Sequence, residues 1–136
     1  MDNSPAEVLA VLLDNFFNVE DEGTWPYFVN VQPNLPEENI TIYDTDGKLQ
    51  GKSVSGGLMV EKYGCQLRIR GKNHNTTRKQ LVKINTWMDE VFNLSVTIDE
   101  QQYTVQNLMK SSSILPLGFT KDKLYEFTLN VTMTIN

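Results

Sequence analysis

The chain has 136 residues, a net charge of −5, 40% hydrophobic and 21% charged residues, one cysteine and one histidine. That length supports one hydrophobic core and is too short for two, and no run approaches the roughly 18 apolar residues of a membrane helix. Cys65 alone excludes an internal disulfide, and Cys65 with His74 is too few ligands for zinc held by Cys and His.

The N-terminus carries acids where a signal peptide carries positive charge, so assembly in a cytoplasm is expected. Ser4-Pro5-Ala6-Glu7 has the form of a capping box, with Ser as N-cap, Pro at the first helical position and Glu at the third. Val8, Leu9, Leu12, Leu13, Phe16 and Phe17 follow at helical spacing, which predicts a core-forming helix to about Asn18. Tyr27 to Val31 and Ile40 to Tyr43 have strand composition, and Pro33, Leu35 and Pro36 interrupt them. Residues 44–57, DTDGKLQGKSVSGG, are polar and glycine-rich and are expected to form a long flexible loop or hairpin tip. Leu58 to Arg70 resumes as strand. In CQLRIRG, Cys65, Leu67 and Ile69 alternate with Gln66, Arg68 and Arg70, as in a strand covered on one face.

A turn over 71–75 leads to a second helix, expected to be capped by Asn75 or Thr76 and to reach about Asn93. Its buried stripe is expected to be Leu81, Ile84, Met88, Val91 and Phe92, with Trp87 beside it. Val96 to Ile98 and Tyr103 to Met109 read as strands joined by a hairpin turn at Asp99-Glu100, and the alternation from Leu124 to Ile135 predicts a long last strand. The order α-β-β-β-α-β-β-β makes the fold class α+β. One domain over residues 1–136 is expected, an antiparallel or mixed sheet with both helices packed on one face.

Charge is unevenly spread along this order. Residues 1–47 hold ten acids and no Lys or Arg, whereas residues 48–136 hold twelve basic residues against seven acids, so −10 and +5 make the net −5. Folding either intermixes these charges or leaves an acidic side and a basic side, and the second outcome suits head-to-tail association of copies.

Several motifs invite a chemical reading. IYDTDG resembles the first motif of haloacid-dehalogenase-type phosphatases, a strand ending in Asp-X-Asp, with Asp44 as nucleophile, Asp46 as general acid and Mg²⁺ between them. That chemistry also needs a phosphoryl-binding Lys, a later acid pair and a parallel sheet. Asp89-Glu90 falls in a helix, Asp99-Glu100 in a turn, and the element order is wrong for a parallel sheet. GKLQGKS is one residue short of the Gly-X4-Gly-Lys-Ser/Thr phosphate cradle, and a strand follows where a helix should. An EF-hand loop starting at Asp44 would need an acid where Ser55 stands. From Lys48 to Lys83 nine Lys/Arg accompany the single acid Glu61. Without interleaved aromatics, and with a pI of 4.8, this reads as a solvated strand face or a protein contact before a nucleic-acid surface.

Three stretches together resemble the small minor capsid or tail-terminator proteins of long-tailed bacteriophages: LPEENITIYDTDGK, LRIRGKNHNTTRKQLVKINTWMDEVF and ILPLGFTKDKLYEFTLNVTM. The likeness lies in their order and spacing: a Pro-rich approach to an I-x-I-Y-D-T-x-G strand, then a strand ending in Arg70-Gly71 before the second helix. Pro116, Gly118 and Asp122 then lead into a last strand containing Asn130. In the family pattern an Asp follows that Gly sooner than Asp122 does here, so this corner is expected to be shaped differently.

The resemblance implies a structural virion protein, not an enzyme, with no cofactor, metal or catalytic residue. Such a protein forms a ring, hexameric in the family, on the head-proximal end of the tail tube, where it ends tube polymerisation. Its implied partners are copies of itself, the major tail tube protein and a head-completion protein. No membrane and no sequence-specific nucleic acid is implied, although DNA passes through the ring lumen. The implied location is the head–tail junction of the virion, with assembly in the host cytoplasm. Asp44, Asp46, Lys48, Lys52, Arg68 and Arg70 are the expected subunit or tail contacts. Another head–tail connector or tail-tube component is the alternative, and a phosphoryl-transfer enzyme using Asp44 and Asp46 the minor one.

Overall fold

The computed structural model describes residues 3–17, 25–45, 52–55 and 58–135, with 52–55 and 58–60 as backbone alone. Helix α1 (Pro5–Phe17) has the expected Ser N-cap, with Ser4 Oγ accepting the Glu7 N–H at 3.2 Å, while the Glu7 carboxylate accepts Asn3 Nδ2 at 2.9 Å. Strands β1 (Tyr27–Val29), β2 (Asn39–Asp44), β3 (Lys52–Ser55) and β4 (Leu58–Gly71) follow. Helix α2 (His74–Met88) comes next, then β5 (Leu94–Ile98), β6 (Gln101–Lys110), β7 (Leu115–Phe119) and β8 (Tyr125–Ile135). The order of helices and strands is the one expected, with two additions. Strand β3 lies within the stretch expected as a loop or hairpin tip, and β7 is a short strand before the last one.

The strands form one sheet in the order β1-β2-β4-β8-β6-β5, with β3 against β4 and β7 against β8. The β1–β2 pair is parallel and every other pair antiparallel. Helix α1 touches both β1 and β5, so the sheet curls around it, and α2 crosses β4, β8 and β6. The period-two pattern of β4 decides which face the helices cover. Ile69 stands between Ile40 and Phe127, and Leu67 between Ile42 and Leu129. All six are buried with Leu9 and Leu13 of α1 and Leu81 and Met88 of α2. This is an α+β fold with both helices on one sheet face.

Turns and caps follow local chemistry. Asp99 (φ 49°) and Glu100 (φ 68°) both lie in the left-handed region, the two-residue hairpin turn that suits the twist of β5 and β6. The N-cap of α2 is Asn73, earlier than expected, and its side chain accepts the Thr76 N–H at 3.0 Å. Gly71 needs its missing Cβ, because a methyl there would overlap Thr77 Oγ1 and the ring of Trp25.

Helix α2 also ends earlier than expected. The N–H groups of Asp89, Glu90 and Val91 bond three residues back, to Thr86, Trp87 and Met88, and this tightens the last turn. Val91 stays buried, but Phe92 is rotated off the stripe and is 76% exposed, contrary to the helical spacing. Trp87, expected beside the stripe, is buried, with the Phe16 ring tilted against it and the Phe17 ring edge-on.

Candidate functional site

The expected contact residues fall into separate environments. Asp44 ends β2 on the helix side of the sheet. One carboxylate oxygen accepts the Ala6 N–H in the first turn of α1 at 2.9 Å, and the other accepts Asn30 Nδ2 at 2.9 Å. The Asp44 N–H returns a bond to Asn30 Oδ1 at 2.9 Å. The carboxylate thus caps a helix N-terminus, where negative charge is stabilised, and fixes the chain as it leaves β1. Asp46 and Lys48 lie outside the described residues. Lys52 is described as backbone alone and stands opposite Glu61 in the β3–β4 pair.

Arg68 and Arg70 project from the helix-free face of β4 and have different surroundings. Arg70 is buried, and its guanidinium turns towards backbone carbonyls of its own chain. Its Nε donates to Glu37 O at 2.8 Å, and its Nη2 to Pro33 O at 2.6 Å and Asn34 O at 3.1 Å. The guanidinium holds the proline-rich loop between β1 and β2 against the sheet, helped by Asn39, whose amide donates to Pro36 O at 2.9 Å. A cleft beside it is lined by Asn34, Leu35, Glu37, Asp122 and Leu124.

Arg68 is only partly buried. Its guanidinium lies 5.3 Å from the centre of the Tyr43 ring, and its Nη2 reaches Gln66 Oε1 at 3.3 Å. Gln66 in turn donates to Asn130 Oδ1 at 3.1 Å. The Arg68 Nε is buried with no hydrogen-bond partner among the described residues. The helix-free face is therefore a polar surface of Tyr43, Gln66, Arg68 and Asn130 over buried Thr41 and Thr128.

The lone cysteine and the lone histidine lie in different surroundings. Cys65 is fully buried, and burial, with a smaller contribution from Asp44, pushes its thiol up to about 12, so it stays protonated at neutral pH. His74 opens α2 with its ring edge-on to Tyr125 and Phe127. Among the described residues no three His, Cys, Asp or Glu side chains gather as a metal-binding group. No helix among them is long and apolar enough to cross a membrane.

Sequence reasoning missed an exposed apolar strand. All five residues of β7 are exposed, including Leu115 at 44%, Leu117 at 49% and Phe119 at 57%. Leu115, Leu117 and Phe119 do alternate in the sequence, but Pro116 and Gly118 between them disguise the strand. Val31 and Leu35 are exposed at 72% and 76% on the loop after β1. Solvated apolar side chains at these two edges are of the kind that marks an association surface.

No protein-family model matches the sequence, and no curated protein matches it. One solved structure, of a protein whose name states no function, superposes on 96% of this chain and 89% of its own. Its TM-score is 0.51 at 11% sequence identity. That likeness speaks to the fold and leaves function to the residues.

Proposed function

We propose that this chain is a structural virion protein of a long-tailed bacteriophage. In this reading it caps the head-proximal end of the tail tube as a ring of its own copies, ends tube polymerisation and presents a joint to the head-completion protein. The reading rests on the ordered resemblance of three stretches spanning most of the chain. The observation that carries it is the apolar side chains left in solvent along β7 and in the loop after β1, which suit a protein whose work is association. Asp44, the nucleophile of the phosphoryl-transfer alternative, has both carboxylate oxygens occupied in joining α1 to β2. That supports an architectural role.

The test adds purified protein to polymerising tail tube protein and follows tube length by negative stain, with light scattering of the protein alone. Tubes that stop growing and carry a terminal ring support the reading. Tubes that grow unchanged, or that take the protein up along their length, refute it, and uptake along the length favours a tail-tube component.

A further inference from the structure

We propose that the outer edge of β7 pairs with the outer edge of β1 in a second copy of this chain, antiparallel and head to tail. The proposal deepens the ring reading and rests on it only for closure of the ring.

The topology comes first. Along the N-terminal half of β8 five strands lie side by side in the order β1-β2-β4-β8-β7. Within the described residues nothing pairs with the outer edge of either end strand. Strand β1 runs parallel to β2, and each further step to β4, β8 and β7 reverses direction. Hence β1 and β7 run in opposite directions. When two copies stand side by side with their strands aligned, β7 of one meets β1 of the next as an antiparallel pair. The sheet then continues across the junction without breaking its alternation.

Side chains agree with this placement. An exposed edge strand is normally protected by charge, yet β7 contains no charged residue and displays Leu115, Leu117 and Phe119. Beyond β1 the chain displays Val31 and Leu35. The flanking charges leave a modest complementarity. Residues 25–45 carry Glu37, Glu38 and Asp44 with no Lys or Arg, although Asp44 caps α1 and Glu37 pairs with Lys72, and Lys121 and Lys123 follow β7 with Asp122 between them. Pro116 cannot donate a hydrogen bond, and the register shifts between Pro116 and Gly118. The backbone ladder is therefore short, and the apolar side chains must supply much of the association. Because the two edges differ, the contact is heterologous, the type that closes into rings.

The experiment uses Val31→Cys and Leu117→Cys variants with a short bismaleimide, since buried Cys65 does not react. Mixing the two variants is expected to give cross-linked dimers, neither variant alone gives any, and the double variant gives a ladder. Dimers from Leu117→Cys alone would mean that β7 meets β7 and overturn the proposal, as would a mixture that does not cross-link. Leu117→Lys with Phe119→Lys should weaken self-association at least about tenfold by light scattering, with the circular dichroism unchanged. Rings that persist in that variant overturn the edge assignment and leave the ring reading intact. Cross-linked chains that do not halt tube growth support the edge pairing and remove the terminator reading.

Discussion

Arg70→Ala separates an architectural arginine from an interfacial one. In the fold one Nε–H and the two N–H groups of Nη2 serve the carbonyls of Glu37, Pro33 and Asn34. A hydrogen bond from a charged donor contributes about 1.5–3 kcal/mol when its acceptor stays buried. Asn34 is exposed, so its carbonyl regains water once the guanidinium is gone, and Asn39 Nδ2 still lies 3.4 Å from Pro33 O. The expected loss is therefore about 2–3 kcal/mol, well short of three full bonds. In urea this lowers the midpoint by about 1–2 M at constant m. Arg70→Lys should recover less than half, because an ammonium cannot fork between carbonyls on two sides. Glu-specific proteolysis at Glu37 and Glu38 should accelerate in the Ala variant as the loop loosens. A loss below about 0.5 kcal/mol, or a Lys variant as stable as wild type, refutes the clamp. A variant of full stability that no longer self-associates would return Arg70 to the subunit interface.

Asp44→Ala removes a helix cap and the Asn30 tie together, and should cost about 1–2 kcal/mol by thermal or urea unfolding. No loss would mean that neither bond persists in solution. Gly71→Ala forces a methyl against Thr77 and Trp25 and should destabilise by about 2 kcal/mol or more, a cost that Thr77→Ser leaves in place because Oγ1 remains. A Tm equal to wild type refutes the close approach. For Cys65 the thiol is raised from 9.0 to about 12, so above pH 9 the folded state holds a proton that the unfolded state releases. Its contribution to stability is complete below about pH 9 and is lost as pH rises towards about 12. Between about pH 8 and 10 the urea midpoint should fall in wild type and fall less in Cys65→Ala. Equal slopes refute this.

Which parts of the fold could be read from the sequence depended on whether the deciding interactions were local. The N-cap at Ser4, the alternation of Cys65, Leu67 and Ile69 and the Asp99-Glu100 turn each use neighbouring residues, and each is found as expected. Phe92 fits the helical spacing of α2, yet it is exposed because three tightened hydrogen bonds end the helix first. Spacing records a period and carries no mark of where the period stops, unless a Gly or Pro supplies one. The stretch 44–57 shows the same limit. Its glycines predict a long loop or a hairpin tip, and residues 52–55 pair with 58–61 as a hairpin, a choice made by β4, which runs on to Gly71.

The site was less legible because its residues differ by what reaches them from far along the chain. Arg68 and Arg70 occupy equivalent positions in one alternating strand, and nothing local distinguishes them. A loop more than thirty residues earlier supplies carbonyls to Arg70 and none to Arg68, which is left with Tyr43, Gln66 and an unpartnered Nε. The charge asymmetry divides in the same way. Asp44 is spent on α1, Glu37 pairs with Lys72 at 3.5 Å and Asp89 with Lys110 at 2.9 Å. These pairings take part of each half's charge out of any long-range attraction between copies. Lys121 and Lys123 follow β7, which has no charge of its own, and the exposed side chains of Leu115, Leu117 and Phe119 are left to decide contact. Charge then sets which edges approach one another, and burial of Leu115, Leu117 and Phe119 sets how tightly they stay. High salt should accordingly slow association between copies more than it hastens their separation.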